Sequence, residues 1–395
     1  MTLTIRELGP DDAAAAWALG SLAFGYHHEP MPEDSGAVRP GRHPWGVLDA
    51  DGRLLAKAVD REQAHWFGGR SVPASGVAGV AVAADVRGGG LGRAVLTRLL
   101  AAARDRGAVI STLFPTTALP YRRLGWEEVG ALVNTAVLAM VLDPLPAPAG
   151  ITTRAATVDD VPAMRDIYAT VAREGNGMMD RSGPLYDRDP ADVISGWNGT
   201  TVAVGAGGVL GYVTWDRSGG YDASGRIEVG DLMAVTADAA AALLGMLRRW
   251  ASVAPTLVFR QGSADPLPLL TALGVQGRVE RRQPWMLRLV DVAGAVAARG
   301  WSPFLKGTVD IALTDAECPW NAGDYRLVLD GGEDRWEPGG TGRVRFTPRA
   351  LAAWYAGAAS PGVLRRAGLL TGPTDDDPFL AVATAGPDPT LLDYF

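Results

Sequence analysis

Six consecutive residues of this chain, Arg87-Gly88-Gly89-Gly90-Leu91-Gly92, have the types and spacing to hold an anion. An apolar stretch, Gly79-Val80-Ala81-Val82-Ala83, runs into them, and a helical pattern over Gly92–Arg104 runs out. A helix start carries unpaired N–H groups and a partial positive charge, which together stabilise a phosphate. Glycines there keep side chains out of the way of a ligand and permit positive φ. A run of three glycines serves equally as a plain flexible turn. The dinucleotide fingerprint fits less well, because it needs Gly-x-Gly-x-x-Gly at the very start of the turn and an acidic residue roughly 20 positions on. No Gly-Lys-Ser/Thr follows, so the P-loop pattern is absent. Metal chemistry finds little footing. The single cysteine, Cys318, excludes an intrachain disulfide or a cysteine cluster, and His27, His28, His43 and His65 lack ligand spacing, so no metal is expected.

The glycine run needs a sheet and a helix to position it. Leu91, Val95 and Leu99 share one helix face with Leu96 and Leu100 beside them, a stripe that packs on a sheet, while Arg93, Arg98 and Arg104 fall outside it. The same arrangement recurs. Thr4-Ile5-Arg6 leads to Asp11-Asp12 before an alanine-rich helix, and Thr153-Arg154 leads at the same spacing to Asp159-Asp160 before another. The aspartates fall where a side-chain oxygen can cap the first free N–H groups of each helix. Later, Leu232-Met233-Ala234-Val235-Thr236 leads to the helical stretch Ala239–Trp250, but through Ala237-Asp238-Ala239-Ala240 and no glycines. Only the first copy therefore has an anion cradle. The proline-dense Leu145-Pro146-Ala147-Pro148-Ala149-Gly150 separates the copies, and a second boundary falls near Leu287–Val292, before the helical pattern Val292–Arg299 and Gly300. Three units result: 1–145, 146–288 and 289–395. The last alternates strand-like stretches, Val309–Leu313 and Tyr325–Leu329, with a helix over Pro348–Ala359.

At 395 residues with 47% hydrophobic and 21% charged content, the chain can bury more than one core. The formal net charge of -7, from 37 basic and 44 acidic residues, argues against nucleic acid or an anionic membrane as partner. It leaves a cationic small molecule open. No secretory pattern opens the chain and no apolar run is long enough to span a bilayer, which reads as cytoplasmic.

The Arg-x-x-Gly-x-Gly spacing of Arg87, Gly90 and Gly92 resembles the pyrophosphate-binding signature of the GNAT superfamily of N-acyltransferases. In that fold the signature follows the fourth strand and opens the third helix. A doubled unit with one degenerate copy and a third domain is similar to the Eis (enhanced intracellular survival) family of aminoglycoside and lysine N-acetyltransferases. The matching stretches are Val80-Ala81-Val82-Ala83, Tyr121-Arg122-Arg123-Leu124-Gly125-Trp126, Ala234-Val235-Thr236-Ala237-Asp238-Ala239, Ala297-Ala298-Arg299-Gly300-Trp301 and the terminal Phe395. The resemblance implies an α/β (α+β) architecture of two tandem GNAT domains, the second degenerate, followed by a sterol-carrier-protein-like α+β domain. It implies acetyl-CoA, or another acyl-CoA, as cofactor. Val80, Ala81 and Val82 would pair with pantetheine, the Val80 N–H would polarise the thioester, and Arg87, Gly88, Gly90, Gly92 and Arg93 would surround the pyrophosphate. Tyr121 corresponds to the general acid and the α-carboxylate of Phe395 to the general base. The third domain then serves to deliver Phe395 rather than to bind lipid. A small-molecule amine is the implied substrate, with no nucleic acid or membrane partner, and a homo-oligomer, a hexamer, is the implied assembly.

Substrate recognition departs from that family. Phe24-Gly25-Tyr26 and Tyr394 stand where its aminoglycoside-acetylating members carry carboxylates, Phe114 replaces a polar residue, and Tyr186 replaces a tryptophan. A pocket formed by Phe24, Tyr26, Phe114, Tyr186 and Tyr394 holds a polycation less well. A smaller or more apolar amine is as good a candidate as an aminoglycoside. Two other functions stay open: a biosynthetic acyltransferase for one metabolite using another acyl-CoA, and a non-catalytic binding protein on this fold.

Overall fold

The computed structural model describes every residue except 1, 27–28, 34–36, 143–144, 146–147, 263–264 and 272. His27, His28 and part of the proline-dense linker therefore lie outside the described residues. The first two units build one mixed sheet. Its first-half strands are β1 (Thr4–Glu7), β2 (Arg42–Leu48), β3 (Leu54–Phe67), β4 (Arg70–Val82), β5 (Ile110–Leu113) and β6 (Glu127–Leu138). The second half adds β7 (Thr152–Ala155), β8 (Gly199–Gly205), β9 (Gly208–Ser218), β10 (Arg226–Ala234), β11 (Thr256–Arg260) and β12 (Arg278–Leu289). In space the order is β1-β2-β3-β4-β5-β12-β6-β11-β10-β9-β8-β7. The halves exchange their last strands: β12 inserts between β5 and β6, and β6 pairs onward with β11. Each half thus closes the other's edge, and the two cannot separate without breaking a sheet interior.

The repeat is real down to single ion pairs. Arg6 grips Asp12 through two bonds of 2.7 and 2.9 Å, and Arg154 grips Asp160 through bonds of 2.7 and 2.8 Å. The capping differs from the sequence expectation. A 3-10 turn, Pro10–Asp12 in one copy and Val158–Asp160 in the other, precedes each helix. Asp12 and Asp160 therefore face backwards and accept from Gly9 N–H and Thr157 N–H at 2.8 Å each. Helices α1 (Ala13–Phe24) and α2 (Leu91–Asp105) follow in the first copy. Among the described residues no further helix lies between α1 and β2, where Pro30, Pro32 and Pro40 deny helical donors. The glycine turn consequently opens the second α-helix rather than the third. Next come α3 (Ala118–Arg123) and, in the second copy, α4 (Val161–Ala172).

The third unit is a five-stranded sheet with helices, its core continuous with that of the large sheet through Trp285, Leu287 and Trp354. Its strands and helices run close to the stretches expected, although helix Pro348–Ala356 stops early because Gly357 turns left-handed at φ 81°. Charge pins it in place. The fully buried Arg288 bonds Asp315 at 2.6 Å, and Arg349 bonds Glu127 at 2.7 Å. Replacing Arg288 by leucine strands Asp315 as a buried, unpaired carboxylate. Chemical denaturation should report a loss of about 3–5 kcal/mol at neutral pH.

Candidate functional site

Strand β4 pairs with β3 along its length, but with β5 only at Ala74, Ser75 and Gly76. Beyond Gly76 the two parallel strands diverge, so Val77–Val82 has no ladder partner on the β5 side. One extra residue of β4 bulges at this point, where the register with β3 shifts and Gly79 adopts φ 59°. The divergence leaves a cleft beside Val80, Ala81 and Val82, the residues expected to meet a pantetheine chain.

The glycine turn closes one end of that cleft. Gly88 and Gly90 sit in the left-handed region at φ 85° and 81°, which side chains other than glycine adopt at a cost. Gly92 is different: its φ is ordinary, and an added Cβ would meet only Val82 Cγ2, at 3.6 Å. Nothing inside the fold demands glycine there, so the space over it suits a ligand pressed against the backbone. No side chain caps the first N–H groups of α2, whereas in the second copy Thr236 Oγ1 caps helix Ala237–Arg248 by accepting from Ala239 N–H at 3.1 Å. The first helix start is open to an anion and the second is satisfied by its own chain. The exposed Arg87 stands at the turn with its Nε on Val82 O at 3.3 Å. The side chain of Arg93 is already engaged within the fold. Its Nε and one Nη are held by the buried Glu317 of the third unit, at 3.2 and 2.7 Å, and Thr97 donates to the same carboxylate at 2.8 Å.

Tyr121, on α3, packs into the same apolar cluster as Val80 and Val82, edge-on to the buried Trp126 at 6.2 Å. Burial raises its pKa above that of an ordinary phenol, so the hydroxyl keeps its proton at neutral pH. Leu113 belongs to that cluster. The next residue, Phe114, faces the other way, onto the chain terminus: its ring lies 4.8 Å from Tyr394 and 5.3 Å from Phe395. The end of β5 therefore joins the Tyr121 cluster to Phe395. Phe24 and Tyr26 form a separate aromatic patch, stacked on each other at 6.3 Å, with Tyr26 also 5.0 Å from Trp17.

The tail that ends at Phe395 is held along the seam between the two halves. Thr390 N–H donates to Asn176 O at 2.9 Å, Asn176 Nδ2 to Pro387 O at 3.0 Å, and Arg260 to Leu392 O at 3.0 Å. Leu391 and Leu392 are buried. Asp393 takes Arg181 at 3.1 Å, and Arg181 in turn grips the buried Asp231, with one bond at 2.9 Å. These groups wall a cavity of about 510 Å³ in the second half, shared with Trp66, Tyr168, Tyr186 and Tyr212. Tyr186 donates to Met179 Sδ there. The link between Asp393 and its partners was not visible to sequence reasoning. Arg181 and Asp231 lie 50 residues apart and nothing local links them. Of the histidines, His65 is buried, its pKa pushed down to about 4 by desolvation, and bonded to Gly177 O at 2.8 Å.

Two acyltransferase-type halves, one with an anion-ready turn, and a third unit supplying the tail define a tandem architecture, and comparison with known proteins agrees. Profiles described as acetyltransferase (GNAT) domain match residues 4–129 and 177–289, and one described as sterol carrier protein domain matches 292–387. An N-acetyltransferase of Streptomyces coelicolor is 30% identical over 325 residues, covering 76% of this chain and 75% of the relative. The crystal structure of a GCN5-related N-acetyltransferase from Kribbella flavida shares the fold at a TM-score of 0.85 and 28% identity, covering 100% of this chain and 98% of that one. Eis1 from Mycobacterium abscessus shares it at a TM-score of 0.78 and 23% identity, with both chains covered in full. The chain belongs to the GNAT family of N-acetyltransferases. It is an acetyltransferase, of a family that uses acyl-CoA. Among the described residues no helix is long and apolar enough to cross a membrane.

The two kinds of glycine separate by experiment. Gly90→Val forces a β-branched residue into a left-handed position and should cost at least about 1–2 kcal/mol in a thermal melt. Gly92→Ala should be neutral or stabilising by up to about 1 kcal/mol, as for any glycine replaced within a helix. Gly92→Ala should nonetheless weaken acyl-CoA binding, measured by calorimetry.

Proposed function

We propose that this acetyltransferase moves the acetyl group of acetyl-CoA to the primary amine of a small molecule, with Tyr121 as general acid and the α-carboxylate of Phe395 as general base. The observation that carries the reading is the convergence, at the end of β5, of the open stretch of β4, the Tyr121 cluster and the chain terminus. Acyl-CoA, when bound, supplies an acyl carbon joined to a good leaving thiolate. Val80, Ala81 and Val82 would hold the pantetheine arm by strand-like pairing. Arg87 and the backbone of Gly88, Gly90, Gly92 and Arg93 would hold the pyrophosphate, the Arg93 side chain being engaged by Glu317.

A terminal carboxylate has a pKa of about 3.3–3.7, so at neutral pH Phe395 is ionised and accepts a proton from the ammonium form of the substrate. The Val80 N–H donates to the carbonyl oxygen as negative charge develops on it. The new C–N bond forms as the C–S bond breaks, and the Tyr121 hydroxyl gives its proton to the departing sulfur. Its raised pKa keeps that proton in place until then. The second proton shed by the nitrogen returns through solvent to Tyr121. The three units, 1–145, 146–288 and 289–395, divide the work: cofactor, tail support and delivery of Phe395.

A second reading has one observation in its favour. Phe114, Tyr394 and Phe395 give the cleft an aromatic wall, which suits one specific metabolite, and with it another acyl-CoA, better than a polycation. Free-thiol release across a panel of acyl-CoAs and amines discriminates between these readings.

Tyr121→Phe should lower kcat by about 100-fold or more with little change in the melting temperature. Any residue added after Phe395 should abolish transfer while acyl-CoA binding, read by calorimetry, persists. Full activity in the extended chain would remove the terminal carboxylate from the mechanism.

A further inference from the structure

Beside the chain end lies a cation that the transfer reading does not use. Arg61, on β3, holds its guanidinium 5.7 Å from the centre of the Phe395 ring. Its Nε is buried and has no hydrogen-bond partner. Directly across the strand pair stands Arg42, so two like charges face one another, an arrangement that destabilises a sheet. Among the described residues no carboxylate lies within ion-pair distance of either. The negative group that Arg61 does feel, Asp393, is held by Arg181. Desolvation, and then Arg42, lower the pKa of Arg61, so in this state its charge is poorly compensated.

A second cation continues the pattern. Lys57 lies four residues earlier on the same face of β3, where successive odd-numbered side chains point one way. Its ammonium lies under α1: a Cβ added at Gly20 would meet Lys57 Nζ at 2.7 Å and the Tyr26 hydroxyl at 3.0 Å. Desolvation lowers the pKa of Lys57, with no charged partner opposing the shift. Arg61 in particular, half-buried and uncompensated beside the Phe395 ring, suits an anion.

The cofactor's phosphates are not that anion. Arg61 pairs in register with Gly76, six residues before Val82, which puts it about 20 Å along the strand from the end that meets the glycine turn. We infer that the acceptor is an amine that also carries an anionic group, a carboxylate or phosphonate, which Arg61 binds while the chain terminus takes the ammonium.

This rests on the transfer reading above, so the test separates the two. Matched amines, each an amino acid or aminophosphonate beside its amide or decarboxylated counterpart, are compared for kcat/KM with acetyl-CoA. The same pairs are titrated calorimetrically without acyl-CoA. The wild-type chain should prefer the anionic member by about tenfold or more, as expected for a charge-assisted pair. Arg61→Gln should bring the ratio close to one, and Arg61→Lys should restore part of it. Equal rates and affinities within each wild-type pair would overturn the inference and leave the transfer reading intact. A loss in Arg61→Gln that is equal for both members would also overturn it, making Arg61 a positioning residue for Phe395. So would a preference that appears only for succinyl-CoA over acetyl-CoA, which would assign the anion to the acyl group. A binding preference with no transfer to any amine would sustain the anion site and refute the transfer reading.

Discussion

Arg181 lies between Asp231 and Asp393, and much of the rest of the molecule depends on that arrangement. Two carboxylates this close repel unless a cation sits between them, and removing a guanidinium this enclosed would leave both uncompensated. Its effect is positional. Asp231 belongs to β10, a strand interior to the large sheet, whereas Asp393 is two residues from the chain end. The pair thus converts the rigidity of a sheet into a fixed address for a terminus, the part of a chain that ordinarily frays. Buried Leu391 and Leu392 add apolar burial on either side of the seam. Gly130 completes the fit, because a Cβ there would come within 2.2 Å of Pro389 O.

The strand exchange sets the frame in which that address has meaning. Because β12 fills the gap between β5 and β6, the first half is finished by residues that come more than 140 positions later in the chain. The seam the tail follows runs beside β6, where Ala131 bridges Thr390. A tail docked on that seam touches both halves at once. The third unit is fixed by separate ion pairs, the buried Arg288 with Asp315 and the half-buried Arg349 with Glu127, so the segment leading to Phe395 starts from a rigid body.

How much of this was legible from residues alone divides along a physical line. The strand–turn–helix around Gly88–Gly92 was legible because its signals are local: apolar alternation, glycines at positive φ, and an amphipathic helix. The repeat was legible from Arg6 and Arg154 at matched spacing to their aspartates. The direction in which those aspartates bond was not, because a 3-10 turn reverses it and turn type is weakly encoded. Arg93 illustrates the same limit. The family resemblance implied a place beside the pyrophosphate, and only the fold reveals Glu317, more than 200 residues away, holding its side chain. Arg61 and Lys57 were invisible as a pair, since alternation along a strand says which residues share a face but not what that face meets.

The two halves then differ in what fills the same gap. In the first, β4 leaves β5 after Gly76 and the opening faces the glycine turn. In the second, β10 leaves β11 after Val229, and there Leu392 packs with Met178 and Met233 while Arg260 holds the Leu392 carbonyl. The space beside Leu392 and Met233 is only about 20 Å³, while the larger cavity walled by Asp231, Arg260 and Asp393 stays open. The second helix start is capped by Thr236, so it has no unmet need for an anion. Both features point the same way: the second half fills part of its gap with the chain's own tail. The absence of a glycine turn there and the hold on the terminus are compatible, because a gap in which Leu392 packs cannot also take a pantetheine arm.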